Sequence, residues 1–249
     1  MKLKKRLDEL VHQQYPSYSK RQIQSWIMQG NVLVEGKKVT KPGTQYVPGV
    51  LVTLIIKEPK YVSRAGYKLE KALDHFAIDV TQKIALDAGI STGGFTDCLL
   101  QRGVQKVYGI DVGYGQVHEK IAHNPRVILL ERTNLRHLET LGELVDIVTL
   151  DLSFISVLKV MDSINQVLKP AGELVVLIKP QFEAERHEIG KKGVIADPKV
   201  HERVLHKVIE GVTRHSYRLQ GVIESPLVGA QGNKEFLAYF KRVPLEKTD

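Results

Sequence analysis

Short apolar runs alternate with stretches of helical spacing along most of the chain from residue 84. The apolar runs include IALDAG, KVYGIDVG, VDIVTLDLSF and ELVVLIKP, and the helical stretches include FTDCLLQRG and SVLKVMDSINQVLKP. Apolar strands that alternate with helices are typical of a mainly parallel sheet covered on both faces. The pattern therefore predicts an α/β fold with a Rossmann-like, doubly wound sheet, in which ligands bind beyond the carboxyl ends of the strands.

The first 60 residues follow a different pattern. Ser19 and Gln22 have the spacing of a capping box, and Ile23, Trp26 and Ile27 recur on one face of the helix that would follow. The next stretch, NVLVEGKKV, alternates apolar and polar residues around a tight turn, which predicts a β-hairpin. These elements indicate a small α+β domain at the front of the chain.

Charge separates the same two parts. Residues 1–60 contain eleven Lys or Arg against four Asp or Glu, so they carry +7 of the formal net charge of +8. We predict a small domain over residues 1–57, a linker over 58–62, where a proline interrupts both periodicities, and a larger domain over 63–249. A basic module beside a nearly neutral body indicates that the module binds a polyanion, although basic loops on a packing domain are the alternative. Lys20 and Arg21 are expected to lie beside the hairpin lysines Lys37 and Lys38. All four are expected to contact RNA phosphates.

Composition argues against several classes of protein. No apolar run approaches the roughly 20 residues needed to cross a bilayer, and the N-terminus lacks the apolar core of a secretory signal. We therefore expect a cytoplasmic protein without membrane contact. The single cysteine, Cys98, excludes an internal disulfide framework and a thiolate metal cluster. It is expected as a small core residue, and no metal site is predicted.

A glycine-rich turn follows the first strand of the larger domain. The segment DAGISTG fits the DxGxGxG loop of S-adenosylmethionine enzymes, with Ser91 in place of the middle glycine. The glycines would bring the cofactor against bare backbone at a helix N-terminus, although a glycine turn without a ligand is the alternative. Asp87 is expected to attract the amino group of the methionine moiety, and Asp111 to bind ribose hydroxyls. The predicted cofactor residues are Asp87, Gly89, Ser91, Thr92, Gly93, Gly94 and Asp111.

Four charged residues are expected at the same rim. Lys68 lies at the start of an amphipathic helix, Asp151 and Lys179 end apolar strands, and Glu235 opens the last strand. Methyl transfer to a ribose hydroxyl needs a group that accepts the hydroxyl proton, and a deprotonated lysine can do so. Lys179 is the preferred candidate for this base. Ordinary salt bridges at strand ends are the alternative interpretation of these residues.

Several motifs carry a family resemblance. The segments SRAGYKLEKAL, LDAGISTGGFTDCLLQRG, GIDVGYGQ, ERTN, LDLSFIS, LIKPQFE and GNKEFLAYF resemble the TlyA family of ribosomal RNA ribose 2′-O-methyltransferases, whose catalytic domain is similar to that of FtsJ. The front module resembles the α-L RNA-binding domain named after the fourth small-subunit ribosomal protein. The resemblance thus spans nearly the whole chain.

This resemblance implies specific roles. The family pattern of Lys, Asp, Lys and Glu falls on the four charged residues at the rim, S-adenosylmethionine donates the methyl group, and Asn134 contacts its adenine. The implied target is a cytidine of ribosomal RNA, and the partner is therefore ribosomal RNA or a ribosomal subunit. Ser91 is a normal variant of the family's glycine loop. Members of the family have often been labelled haemolysins.

Other interpretations remain open at this point. In the charged segment AERHEIGKKGVIADP, which is either a substrate loop or mobile, Lys191 and Lys192 are expected on RNA phosphates. The protein could instead be a non-catalytic RNA-binding or ribosome-assembly factor, or a haemolysin, although no strongly amphipathic basic helix is present. Methylation of a base amine is disfavoured because DLSF lacks two prolines, and methylation of a ring carbon because Cys98 is badly placed. The sequence does not predict the oligomeric state.

Overall fold

The computed structural model describes residues 4–55 and 59–243, and the chain folds as two units, residues 1–59 and 60–249. Residue 58 of the predicted linker lies outside the described ranges. Tyr61 is only 1% exposed and packs in the core of the second unit. The backbone N–H of Val62 donates to Asp97 Oδ2 at 2.9 Å. The structure thus packs these two residues into the second unit instead of leaving them in a linker, because an aromatic ring is stabilised by apolar contacts.

The first unit combines two helices with short antiparallel strand pairs. One three-stranded sheet has the order β3-β2-β5, and a separate pair joins β1 to β4. The helices and strands of the first unit are β1 Lys5–Arg6, α1 Leu7–Gln14, α2 Lys20–Met28, β2 Val32–Val34, β3 Lys37–Lys38, β4 Gln45–Tyr46 and β5 Val52–Leu54.

Local chemistry explains why these elements form. The capping box at the start of α2 is confirmed, since the hydroxyl of Ser19 accepts from the N–H of Gln22, whose side chain accepts from the N–H of Ser19. The predicted hairpin is also confirmed: Glu35 and Gly36 both have positive φ, at 48° and 74°, as a type I′ turn requires. Apolar residues of both helices and of β2 form the core of the unit.

The four basic residues predicted in this unit are all exposed. Lys38 lies over the C-terminal end of α2. A Cβ added to Gly30, which follows this helix, would overlap the Cε of Lys38. Lys20 and Arg21 occupy the opposite end of α2, and a helix of nine residues spans about 13 Å. The expectation that Lys38 lies beside this first turn is therefore wrong, since the hairpin follows directly from the end of the helix. The RNA-binding role of all four remains a prediction.

The second unit is an α/β domain. Short 3₁₀ helices cover Leu135–His137, Val157–Val160, Arg186–Glu188, Lys191–Gly193 and Ala230–Gly232. The α-helices and strands are α3 Ala65–His75, β6 Ile84–Ala88, α4 Gly94–Gln101, β7 Lys106–Ile110, α5 Glu119–Ala122, β8 Val127–Leu130, β9 Val145–Leu150, α6 Met161–Val167, β10 Leu168–Ile178, α7 Pro180–Glu183, α8 Pro198–Arg214, β11 Tyr217–Glu224 and β12 Phe236–Arg242.

These strands form one seven-stranded sheet with the order β11-β12-β10-β9-β6-β7-β8. Neighbours from β10 to β8 are parallel, and β12 is antiparallel to both of its neighbours. The chain winds outward from β6 to β8 and then returns to place β9 on the other side of β6. The strand order therefore reverses between β6 and β9, which is where open α/β sheets bind their ligands.

Helices cover both faces of the sheet, which confirms the predicted doubly wound class. One core cluster contains residues of α6 and α8, including Ile164 and Val208. The other contains residues of α3 and α4, including Leu69 and Leu99. Cys98 is free and fully buried in the second cluster, as predicted. Among the described residues, no helix combines the length and the apolar character needed to cross a bilayer.

Candidate active site

Charged residues that border three strands meet at one edge of the sheet. Asp151 follows β9 and Lys179 follows β10, and parallel strands bring their carboxyl ends together. Strand β12 runs in the opposite direction, so its first residues lie at the same edge, where Phe236 pairs with Ile178. Lys179 and Glu235 flank this last pair. A lysine and a carboxylate that lie far apart in sequence are thus neighbours because of the antiparallel strand.

The glycine turn after β6 packs closely against this edge. Gly89 has a φ of +86°, and a Cβ at this position would lie 2.6 Å from the backbone oxygen of Asp151. Gly93 has a φ of +97°, and a Cβ there would press on a side chain of α5, whereas a Cβ on Gly94 would overlap Ser63 Oγ. The predicted sharp turn is present. However, these glycines make room for protein atoms, and only Gly89 also lines a cavity.

Two other residues of the turn complete its geometry. Ser91, in the place of the middle glycine, has a left-handed φ of +48°, which costs an L-residue about 1–2 kcal/mol. Its N–H donates to Asp111 Oδ2 at 2.9 Å, which holds the turn against the end of β7. The carbonyl oxygen of Thr92 accepts from the N–H of His118 at 3.0 Å. Thr92 therefore faces the protein and does not line the cavity.

Asp87 lies beneath the turn and has no exposed surface. Its two carboxylate oxygens accept hydrogen bonds from the hydroxyls of Thr96, at 2.6 Å, and Thr149, at 3.1 Å. Burial, with a smaller contribution from nearby Asp151, raises the pKa of Asp87 to about 7 against the effect of these hydroxyls. The predicted direct contact with the amino group of a cofactor is not available to a carboxylate in this position. Asp87, at the end of β6, instead ties the start of α4 to the end of β9.

A cavity of about 610 Å³ opens beside the glycine turn. Gly89, Ser91, Asp111 and Asn134 line it, whereas Asp87, Thr92, Gly93 and Gly94 do not. Asp111 accepts from Ser91 and, through Oδ1 at 2.8 Å, from the N–H of Gly113. The side chain of Asn134 accepts from the N–H of Arg136 at 3.1 Å and so caps the following 3₁₀ helix. We call this space the cofactor cavity.

The four predicted catalytic residues form two ion pairs. Lys179 Nζ lies 2.7 Å from Asp151 Oδ1 and donates a hydrogen bond to Ser153 Oγ at 3.0 Å. Among the described residues Asp151 Oδ1 has no hydrogen-bond partner, so this contact is an ion pair alone. Lys68 Nζ lies 2.5 Å from Glu235 Oε2. The side chains of Lys68 and Lys179 are only 12% and 11% exposed, so both ammonium groups are held in a partly dry environment.

A second cavity, of about 370 Å³, contains all four of these residues. It shares three wall residues, Asp151, Ser153 and Phe154, with the cofactor cavity. We call it the catalytic cavity. The ion pair formed by Lys179 therefore lies where the two cavities meet.

Comparisons with known proteins agree with this geometry. A family model described as FtsJ-like methyltransferase matches residues 61–242, and one described as S4 domain matches residues 5–52. The chain is 39% identical over 226 residues to the 16S/23S rRNA (cytidine-2'-O)-methyltransferase TlyA of Mycobacterium tuberculosis, covering 90% of this chain and 84% of that protein. This chain belongs to the TlyA family of FtsJ-like methyltransferases.

Two further relatives carry a different label. Hemolysin A of Brachyspira hyodysenteriae is 40% identical over 238 residues, which cover 94% of this chain and 99% of that protein. A solved structure from Streptococcus thermophilus, of a protein provisionally labelled a hemolysin, is 35% identical with a TM-score of 0.75, and covers 100% of this chain and 92% of that one. Proteins labelled hemolysins therefore occur among the relatives that match this chain over both domains.

The FtsJ-like domain has residues that fit S-adenosylmethionine. The cofactor cavity lies within the range of about 300–1000 Å³ usual for small-molecule sites. Asp111 and Asp151 present carboxylates to it, which suit a ligand with cationic groups and ribose hydroxyls better than a pyrophosphate. Each oxygen of Asp111 accepts one backbone N–H and retains a lone pair for a hydroxyl.

Phe154 lies in the motif LDLSFIS of the FtsJ-like domain. No role was predicted for it from the sequence. It is 90% exposed, has a left-handed φ of +65° and stands in the wall shared by both cavities. Its ring lies 5.0 Å from that of Phe182, whose ring centroid is 5.9 Å from Lys179 Nζ. A large exposed aromatic residue with a strained backbone is a signal of function that only coordinates reveal.

The charged segment before α8 is held in place over part of its length. The side-chain amide of Asn233 donates to the carbonyl oxygen of Gly193 at 2.9 Å and accepts from the N–H of Ile195 at 3.0 Å. Lys192 is exposed and has a φ of +67°, whereas the side chain of Lys191 lies outside the described part of the chain. The contact of both lysines with RNA remains a prediction.

Proposed function

We propose that this chain transfers the methyl group of S-adenosylmethionine to a ribose 2′-hydroxyl of ribosomal RNA, with a cytidine as the target nucleotide. The observation that carries the proposal is the shared wall. The cavity that fits the cofactor and the cavity that holds both lysine–carboxylate pairs meet at Asp151 and Phe154. A hydroxyl bound in the catalytic cavity can therefore face a methyl group held in the cofactor cavity.

In the proposed reaction, S-adenosylmethionine supplies an electrophilic methyl group. Gly89, Ser91, Asp111 and Asn134 would hold the cofactor. Lys179, in its deprotonated form, accepts the proton of the 2′-hydroxyl as the oxygen forms its new bond to carbon. The methyl–sulfur bond of the donor would break as the oxygen–carbon bond forms, so the products would be a ribose methyl ether and S-adenosylhomocysteine, and the proton leaves on the lysine amine.

The neighbouring residues orient this base. Asp151 and Ser153 both hold the Nζ of Lys179, at 2.7 and 3.0 Å, which fixes the position of the amine in the cavity. The second pair, Lys68 with Glu235, lies in the same cavity and provides a cation for the ribose or for the adjoining phosphate. Partial burial strengthens each of these interactions, since screening by water is reduced.

The S4 domain supports the choice of RNA as substrate. It contains the exposed basic residues Lys20, Arg21, Lys37 and Lys38, and residues 1–60, which include it, carry most of the net positive charge. Exposed Lys and Arg residues contact phosphates, which positions a protein on RNA without reading its sequence. We propose that this domain binds ribosomal RNA or a ribosomal subunit, and that the protein acts in the cytoplasm where these occur. The chemistry then takes place in the FtsJ-like domain.

The test uses Lys179→Arg, because arginine keeps the positive charge but cannot accept a proton at neutral pH. We expect turnover on ribosomal subunits from cells that lack the enzyme to fall by about 100-fold or more, the usual contribution of a general base. RNA binding should be unchanged. Lys169→Arg is the matched control, since Lys169 lies at the other end of β10 and also pairs with an aspartate, Asp146, at 2.6 Å.

Mass spectrometry of the wild-type product would locate the methyl group. A 2′-O-methylcytidine is expected, and a methyl group on a base would contradict the proposal. A non-catalytic RNA-binding factor would give no product with the wild-type chain, and both lysine variants would then behave alike.

A further inference from the structure

The catalytic cavity contains a polar group that the proposed reaction does not use. Among residues 4–55 and 59–243, the buried side-chain oxygen or nitrogen atoms without a hydrogen-bond partner are Asp151 Oδ1, Gln181 Oε1 and Glu183 Oε2. All three follow β9 or β10 at the edge of the sheet where the cavities lie. A buried acceptor without a donor costs about 1–3 kcal/mol. Each such atom therefore needs an explanation.

Two of these atoms are explained by their surroundings. Asp151 Oδ1 lies 2.7 Å from the ammonium group of Lys179, which offsets its charge. Glu183 accepts the N–H of Val157 at 2.8 Å through its other oxygen. Burial also raises the pKa of Glu183, which reduces the cost of burying this side chain. Gln181 has neither option, because its amide is neutral and does not titrate.

The position of Gln181 indicates where its missing donor comes from. Gln181 is the second residue of α7, two residues after Lys179, and it lines the catalytic cavity with both ion pairs. Its side chain is half-buried, and the terminal torsion of a glutamine varies broadly, so the amide can turn towards the cavity. A donor that enters this cavity with the substrate would satisfy Oε1.

We propose that Gln181 binds the target nucleotide, with its amide oxygen accepting a hydrogen bond from the exocyclic amine of a cytosine base. This inference rests on the proposed function. An amide presents an acceptor beside a donor, which matches the amine and the ring nitrogen on the pairing edge of cytosine. Phe154, in the wall of the same cavity, is placed to stack on the face of that base. The face and the edge of one base would thus be bound by the segments that follow β9 and β10.

The test replaces Gln181 with methionine, which has a similar shape and no amide. We expect kcat/KM for ribosomal subunits from cells lacking the enzyme to fall about tenfold, the value of one hydrogen bond. The Kd for S-adenosylmethionine should not change, because Gln181 does not line the cofactor cavity. Gln220→Met is the matched control, since Gln220 is exposed on β11 and lines neither cavity.

Stability separates this role from a merely structural one. Removing an unsatisfied buried acceptor is neutral or stabilising, so the melting temperature of Gln181→Met should equal or exceed that of the wild type. A residue that only supports the fold would lower it. A lower melting temperature together with unchanged kcat/KM would overturn the proposal.

A second arm identifies the donor. The cytidine located by mass spectrometry is replaced in the RNA by zebularine, the cytidine analogue without the exocyclic amine, because a glutamine amide could turn over and match uridine. Wild-type kcat/KM should fall about tenfold, and Gln181→Met should cause no further loss on this substrate. Equal losses from Gln181→Met on cytidine and zebularine would assign the donor to a ribose hydroxyl and overturn recognition of the base. Wild-type enzyme without any activity would instead refute the proposed function.

Discussion

Replacing Gly89 with alanine tests whether the glycine turn sets the position of Asp151, which we propose orients the base. A Cβ on Gly89 would lie 2.6 Å from the backbone oxygen of Asp151, whereas ordinary contact begins at 3.4 Å. The turn and Asp151 must therefore separate by most of an ångström. Gly142→Ala is a matched control, because Gly142 also has a left-handed φ, +83° against +86°, but nothing lies within 4 Å of its Cβ.

The two variants should differ in both stability and activity. Gly142→Ala is expected to lower the free energy of unfolding by about 1–2 kcal/mol, the cost of a left-handed alanine, with turnover unchanged. Gly89→Ala adds the cost of overlap, a further ~1–3 kcal/mol. Its kcat should fall by about 100-fold, because a displacement of this size misaligns Asp151 and the Lys179 it holds.

The assay must report on the correct domain. The single tryptophan, Trp26, lies in the S4 domain, so urea unfolding of the FtsJ-like domain should be followed by far-ultraviolet circular dichroism. Turnover is measured on ribosomal subunits from cells lacking the enzyme. Equal losses of stability in the two variants, with wild-type turnover in Gly89→Ala, would refute the reasoning.

Two further residues give predictions of other kinds. The pKa of Asp87 is raised to about 7 in the folded chain, above about 4 in an unfolded one, so the folded state holds more protons and stability falls as pH rises from about 4 to 7. Between these pH values the free energy of unfolding of Asp87→Asn, measured by urea titration, should depend less on pH than that of the wild type. An equal dependence in both proteins would contradict the raised pKa of Asp87. Phe154→Ala should raise KM for ribosomal subunits about tenfold or more through loss of stacking. Its melting temperature should stay near the wild-type value because the ring is 90% exposed, and an unchanged KM would exclude a stacking role.

The periodicity of the chain was enough to predict that the proposed catalytic residues lie at one edge of the sheet. Asp151 and Lys179 end consecutive apolar runs, and parallel neighbours place such ends at one edge. Which lysine pairs with which carboxylate was not predictable. That pairing depends on β12 entering the sheet antiparallel between β10 and β11, and on the register that puts Glu235 beside the end of β10. Strand direction and register are set by long-range packing, which a local pattern does not contain.

The glycine motif was a weaker guide to individual contacts. DxGxGxG predicted the turn and the cofactor cavity beside it, yet Asp87 and Gly94 contact only protein atoms. A glycine is required wherever a backbone must approach another group closely, whether that group belongs to a ligand or to the protein. The sequence cannot distinguish these two cases. Coordinates distinguish them by the atom that an added Cβ would meet.

The residues that sequence reasoning gave no role share a physical property. Phe154 has a left-handed backbone and an exposed ring, and Gln181 has a buried acceptor without a donor. Each arrangement lowers the stability of the isolated chain, by about 1–3 kcal/mol for a strained backbone or an unsatisfied acceptor. Both lie on the walls of the catalytic cavity. Because a bound nucleotide could stack on the ring and donate to the amide, the same features that cost stability in the free protein would contribute affinity in the complex.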